Sequence, residues 1–273
     1  MLDLTTPVVM GILNVTPDSF SDGGRYAAID SAIAHGEQMA AQGAGIIDVG
    51  GESTRPGAAD VAEADEIARV VPLIEALRTR VAVPISIDTS KPGVMRAAIA
   101  AGATMINDVR ALREPRALAV AAASDAAVCL MHMQGEPRSM QNDPQYTNVV
   151  AEVRDFLAVR LRECINAGIA AERIVLDPGI GFGKRIQHNL ELLANLPALL
   201  ALGRPVLVGA SRKSMFQTLL NRPVEQRLAG GLAVGTAAVL AGASILRAHD
   251  VRETVDAVKV AAALRTAGYG IGG

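Results

Sequence analysis

Residues 10–24 read M-G-I-L-N-V-T-P-D-S-F-S-D-G-G, an apolar run that stops at Asn14 and opens into turn-forming residues. Val8, Val9, Met10, Ile12 and Leu13 suit a buried strand. Thr16-Pro17-Asp18-Ser19 and Ser21-Asp22-Gly23-Gly24 then punctuate a loop that is long for a simple strand-to-helix turn, and long loops lean functional. Phe20 sits in it, in a chain that is only 3% aromatic, so a ring stands where burial does not require one. A helix cap at the end of a strand is the plain interpretation of such a stretch; its interest is that the same sentence recurs down the chain.

Ile46-Ile47-Asp48-Val49-Gly50 exits into Gly51-Glu52-Ser53-Thr54-Arg55-Pro56-Gly57, and Val83-Pro84-Ile85-Ser86-Ile87 into Asp88-Thr89-Ser90. Met105-Ile106 ends at Asn107-Asp108-Val109, Val128 to Met131 at His132, and Ile174 to Leu176 at Asp177-Pro178-Gly179. Val206 to Val208 ends at Gly209-Ala210-Ser211-Arg212-Lys213, and Ile245-Leu246 at Arg247-Ala248-His249-Asp250. Helical patterns fill the gaps, over 30–41, 149–167, 190–200, 228–240 and 251–264; Ile67, Val70, Val71, Ile74 and Leu77 form the strongest stripe.

Eight short apolar strands alternating with helices in 273 residues is the count expected of an α/β (β/α)₈ TIM barrel, one domain spanning 1–273. A doubly wound open sheet is the alternative, but the glycine-rich nucleotide turn usual after its first strand is missing. In a barrel all polar strand exits meet on the C-terminal face, so Asn14, Arg55, Asp88, Asn107, His132, Asp177, Lys213 and Arg247 are expected around one opening.

With 50% hydrophobic residues the chain can bury a large core, and its net charge of −2 gives no electrostatic case for binding nucleic acid or an anionic membrane. Cys129 and Cys164 form neither a disulfide framework nor a metal spacing, which fits a reducing cytoplasm, and the first residues show no secretory pattern. The uncharged segment 228–246 contains Gly231-xxx-Gly235, yet it is rich in Ala and Gly and lacks aromatic belts. It reads as a closely packed helix from Leu228 to Leu240 followed by a strand from Ala243 to Leu246.

Any one of Asp88, Asn107 and Asp177 is expected to cap a helix; three on one axis offer acceptors and an amide able to read a planar heterocycle with N–H donors. Metal binding by the carboxylates ranks lower without a histidine at ligand spacing. Gly179-Ile180-Gly181-Phe182-Gly183-Lys184 fails as a phosphate loop, because Pro178 takes the first glycine position and Arg185 follows the lysine. Its glycines suit close backbone approach to a ligand beside the Phe182 ring. Arg55, Arg212, Lys213, Arg247 and His249 converge as a cationic mouth for phosphate or carboxylate, while His35 and His188 read as surface residues. No serine or cysteine nucleophile is evident, which points to positioning and stabilisation of a leaving anion.

These motifs together resemble the dihydropteroate synthase family. The resemblance rests on G-I-L-N-V-T-P-D-S-F-S-D-G-G, I-D-V-G-G-E-S-T-R-P-G, I-S-I-D-T, I-N-D-V, L-M-H-M, L-D-P-G-I-G-F-G-K, S-R-K-S and R-A-H-D-V, spread from residue 10 to 251. It implies a TIM barrel, commonly a homodimer, that condenses 6-hydroxymethyl-7,8-dihydropterin diphosphate with 4-aminobenzoate. By resemblance, Asp88, Asn107, Asp177 and Lys213 bond the pterin with Met131 and Phe182 as walls, and Arg55, Arg247 and His249 hold the diphosphate. Asn14 contacts Mg²⁺, and Phe20, Thr54, Pro56, Ser211 and Lys213 form the aminobenzoate site, with Asp88, Lys213, Asp177 and Arg55 carrying the catalysis. Residues 16–24 are expected to act as a mobile lid. A non-catalytic pterin-binding paralogue or a pterin-dependent methyltransferase is the alternative on the same barrel.

Overall fold

A computed structural model describes residues 3–15, 24–53, 60–136 and 139–269, with backbone alone at 24–28. The strands are β1 (Val8–Asn14), β2 (Ile46–Gly50), β3 (Ile85–Asp88), β4 (Met105–Asp108), β5 (Ala127–Met131), β6 (Ile174–Asp177), β7 (Leu207–Val208) and β8 (Ile245–Ala248). All pair in parallel in the order β6-β5-β4-β3-β2-β1-β8-β7, and a parallel bridge between Leu176 and Val206 brings the two ends together. This is the (β/α)₈ barrel expected from the repeated pattern.

Ten α-helices are present among the described residues: α1 (Gly24–Ala41), α2 (Glu63–Leu77), α3 (Pro92–Ala101), α4 (Ala117–Ala122), α5 (Val149–Asn166), α6 (Ile186–Ala194), α7 (Leu196–Leu200), α8 (Met215–Leu220), α9 (Leu228–Leu240) and α10 (Val251–Thr266). The helix expected from Asp30 starts earlier, at Gly24, and of the stretch expected as a lid residues 16–23 lie outside the described residues. The single helix expected over 190–200 is two. Pro197, at the start of the second, lacks the amide hydrogen that would continue the first. The uncharged segment is α9 followed by β8, and Gly235 lets the helix lie against Leu246. Among the described residues no helix is long and apolar enough to cross a membrane.

Strand alternation divides the barrel into two kinds of interior. Met10, Ile46, Met105, Cys129, Val175, Leu207 and Ile245 point inward and form an apolar floor. On five of the strands the next inward position along the chain direction is polar: Asp48, Asp88, Asn107, Asp177 and Arg247. Outward side chains such as Ile47, Val49, Ile87, Ile106 and Leu130 pack on the helices in the larger core.

Cys129 in the floor and Cys164 on α5 are both fully buried. Burial pushes the Cys129 thiol well up, with Asp177 and Asp48 adding to it, and burial raises Cys164 to about 11. Neither thiol is expected to react with an aromatic disulfide reagent in the native protein, whereas both react after unfolding in guanidinium. Prompt native reaction would contradict this core assignment.

Candidate functional site

The polar strand ends enclose a cleft of about 500 Å³ at the C-terminal mouth of the barrel. Asn14, Asp88, Asn107, Met131, Asp177, Phe182, Ser211, Lys213, Arg247 and His249 all line it, so ten of the residues read from the sequence meet at one opening. Phe20, Thr54, Arg55 and Pro56 lie outside the described residues. His132 departs from expectation. Met131 takes the inward place on β5, so His132 turns outward, where its ring packs edge-on against Phe156.

At the base of the cleft, Arg247 Nε donates to Asp48 Oδ2 at 2.6 Å and its Nη2 to Asp88 Oδ2 at 2.7 Å. Asp48 Oδ2 also accepts from Asn107 Nδ2 at 3.0 Å. A carboxylate offers only acceptors, so this bond dictates the amide's orientation and turns the Asn107 carbonyl oxygen away from Asp48. Asp48 is fully buried and was not among the expected site residues. Its signal was an acidic residue in the middle of an apolar strand, which demands a partner.

Burial pushes the Asp88 carboxyl above its ordinary range; Arg247 opposes the rise, and Asp48 adds to it. Asp177 is pushed up to about 6 by burial, against the amide of Gly179, which donates to its Oδ1 at 2.7 Å, and the charge of Lys213. Among the described residues two acceptors on the buried carboxylates have no hydrogen-bond partner, Asp48 Oδ1 and Asp88 Oδ1. Beside them Lys213 Nζ stands 4.0 Å from the centre of the Phe182 ring, a cation–π contact, and Met131 joins Val109, Met133 and Met140 in an apolar wall next to Phe182.

Across the mouth, Ser211 Oγ accepts the His249 backbone N–H at 3.2 Å and lies 3.0 Å from His249 Nδ1. The tautomer of the His249 ring sets which of the two groups donates in that contact. The two groups come from different strand exits, so neither strand exit alone reveals the pair. Arg212 is bound to Asp250 at 2.5 Å. His188, expected at the surface, is half-buried with its ring edge-on to Tyr146 at 4.9 Å.

The β2 exit is tied at its base. Lys91 Nζ donates to Glu52 Oε2 at 2.7 Å and to Glu66 Oε2 at 2.6 Å, Glu52 Oε1 accepts from the amide of Val61 at 2.9 Å, and Arg69 donates to the Gly51 carbonyl. Burial pushes Glu66 up while Lys91 pulls it back. Among the described residues no group of three or more His, Cys, Asp or Glu is placed to hold a metal ion.

The family model described as pterin binding enzyme matches residues 10–249. The chain is 52% identical to dihydropteroate synthase of Escherichia coli over 266 residues, covering 97% of this chain and 94% of that one. It is also 52% identical to the Haemophilus influenzae dihydropteroate synthase over 259 residues, covering 95% and 94%. Among solved structures it is similar to Yersinia pestis dihydropteroate synthase in complex with a sulfonamide drug, with a TM-score of 0.92 and 51% identity over 97% of this chain and 96% of that one. It is similar too to the Xanthomonas albilineans enzyme in complex with 7,8-dihydropteroate, with a TM-score of 0.88 and 49% identity over 97% and 95%.

Removing Arg247 strands two carboxylates in the barrel interior. Arg247→Leu is expected to cost about 3–5 kcal/mol near pH 8. A carboxyl whose folded pKa is raised stabilises the fold below its unfolded value, near 3.9, and loses that contribution as pH rises through the folded value. The deficit should therefore be small near pH 4 and widen towards pH 8 in urea unfolding; a deficit independent of pH would overturn the pairing.

Proposed function

The chain belongs to the pterin-binding enzymes and within them to the dihydropteroate synthases, and from this we infer that it condenses 6-hydroxymethyl-7,8-dihydropterin diphosphate with 4-aminobenzoate, giving 7,8-dihydropteroate and pyrophosphate. The observation that carries the assignment to this cleft is the buried, unpartnered Oδ1 of Asp88 beside Asn107 and Asp177, an acceptor set that matches the N–H edge of a pterin. Asp88, Asn107, Asp177 and Lys213 bond the pterin in this reading, and Met131 and Phe182 flank its ring. Arg247, His249 and Arg55 take the diphosphate. Ser211, Lys213, Thr54, Pro56 and Phe20 form the aminobenzoate side.

The bond between the pterin's exocyclic methylene and the diphosphate oxygen breaks, and its electron pair leaves with pyrophosphate. The electron-rich dihydropterin carries the resulting positive charge, which the Asp88 carboxylate stabilises electrostatically. The arylamine lone pair of 4-aminobenzoate then forms the C–N bond, and the nitrogen loses one proton. Catalytic weight falls on Asp88, Asp177, Lys213 and Arg55, which hold the reacting groups in place and balance charge rather than forming a covalent intermediate.

Mg²⁺ fits the residues present as a metal carried largely by substrate. Asn14 supplies one neutral amide oxygen at the cleft edge, and Mg²⁺ typically keeps several waters and substrate phosphates in its shell. Gly50 leaves room for it, since a Cβ there would stand 2.9 Å from Asn14 Oδ1. When bound, the ion neutralises charge on the leaving pyrophosphate. A homodimer acting in the cytoplasm completes the proposal.

Pyrophosphate release from the pterin diphosphate, 4-aminobenzoate and Mg²⁺ tests the reading directly. No release with pterin still bound would favour a non-catalytic paralogue. Asp88→Asn should lower kcat on the order of 100-fold with the fold retained by circular dichroism. Near-normal turnover in that variant would remove Asp88 from the mechanism.

A further inference from the structure

The glycine loop after β6 resembles a phosphate loop turned inside out. In a phosphate loop, amide hydrogens converge on an anion. Here carbonyl oxygens converge on the loop's own lysine: Lys184 Nζ lies 2.9 Å from Gly179 O, 3.0 Å from Phe182 O and 3.3 Å from His132 O. It also donates to His132 Nδ1 at 2.9 Å. Lys184 is only 3% exposed and reaches none of the cleft-facing surface.

The glycines make this possible. Gly179 has φ +66°, and a Cβ there would fall 1.9 Å from His132 O; Gly183 has φ +59°, with Gln134 O at 2.3 Å from its Cβ position. Two further loop carbonyls are also held, Gly183 O by Tyr146 Oη at 2.8 Å and Gly181 O by Gln141 Nε2 at 2.5 Å. Gly181 N donates to Asn189 Oδ1 at 2.7 Å. With the backbone fixed from behind, the loop presents Phe182 to the cleft.

We propose that Lys184 is a positioning residue for pterin binding, its ammonium gathering the carbonyls of the 179–183 loop so that Phe182 and Asp177 keep the geometry the pterin requires. The proposal rests on the pterin-binding reading of the cleft. An ammonium has three protons for His132 Nδ1, Gly179 O and Phe182 O, whereas a neutral amine would leave one acceptor bare. Burial pulls Lys184 down to about 7, Asp177 holds it up and Lys213 lowers it. Burial first, then the charge of Lys184, pulls His132 down to about 3, which keeps its Nδ1 lone pair available.

The test measures pterin affinity by calorimetry in the parent and in Lys184→Met. The expected result is a Kd raised about tenfold or more, as for a misplacement remote from the chemistry, with KM for 4-aminobenzoate near the parent value. A folded Lys184→Met that binds pterin like the parent, or loses both substrates equally, overturns the proposal. If the parent itself binds no pterin, the functional reading fails instead. Should the variant not fold, the parent supplies the second measurement. With only four lysines in the chain, ¹⁵N-lysine labelling resolves the slowly exchanging buried ammonium. That signal should shift when pterin is added, and a signal indifferent to pterin overturns the positioning role.

Discussion

The sharing of Arg247 between Asp48 and Asp88 is the contact on which the cleft depends. Both carboxylates stand in the barrel interior directly above an apolar floor, where an unpaired charge costs several kcal/mol. The planar guanidinium reaches two separate carboxylates with Nε and Nη2 at fixed angles, which the single ammonium of a lysine does not reproduce. Asp48 receives the Asn107 amide on the oxygen that already holds Arg247, so one buried atom sets both the arginine and the orientation of a neighbouring cleft-lining amide.

Two lysines hold the loops on either side of this centre, by opposite means. Lys91 balances its charge against two glutamates and fixes the base of the β2 exit. Among the described residues Lys184 bonds no carboxylate; backbone dipoles and an imidazole solvate it, with the Asp177 charge nearby, which fixes the β6 exit. An ion pair tolerates partial exposure, and Lys91 retains some; a lysine held by carbonyls suits complete burial. In both cases a side chain outside the proposed chemistry ties down a strand exit that carries cleft-lining residues, and positioning tolerances at a reacting centre are a fraction of an ångström.

The architecture was legible because it is written in local pattern. Strand β2 and helix α9 occupy the residues their apolar pattern assigned, and each polar strand exit marked where a strand reaches the barrel mouth. Pattern failed where a backbone property overrode it, as when Pro197 divided the expected helix into α6 and α7. It was silent on pairings across the barrel: Ser211 with His249, Lys184 with His132, and Arg247 with Asp48 at a separation of 199 residues. His132 shows the limit. Its place at a strand end was read correctly, but the side it faces follows from register, which a strand exit alone does not reveal.

The cleft gathers charges of both signs, and their placement bears on the proposed chemistry. Asp48, Asp88 and Asp177 lie at the base, where burial leaves their negative charge costly and only partly neutralised by Arg247. Arg212, Lys213 and Arg227 also line the cleft from the later strand exits, with Arg212 paired to Asp250. Ionising a neutral bond into a pterin cation and pyrophosphate creates a dipole, and a preformed dipole of opposite sense lowers its energy without reorganising at the moment of reaction. In the proposed reaction the raised carboxyls of Asp88 and Asp177 are the counterpart of that cation. The free site bears a desolvation cost that a positive charge at the dihydropterin would relieve. A site built only to bind the neutral pterin would need hydrogen-bond acceptors there, but not three buried carboxylates.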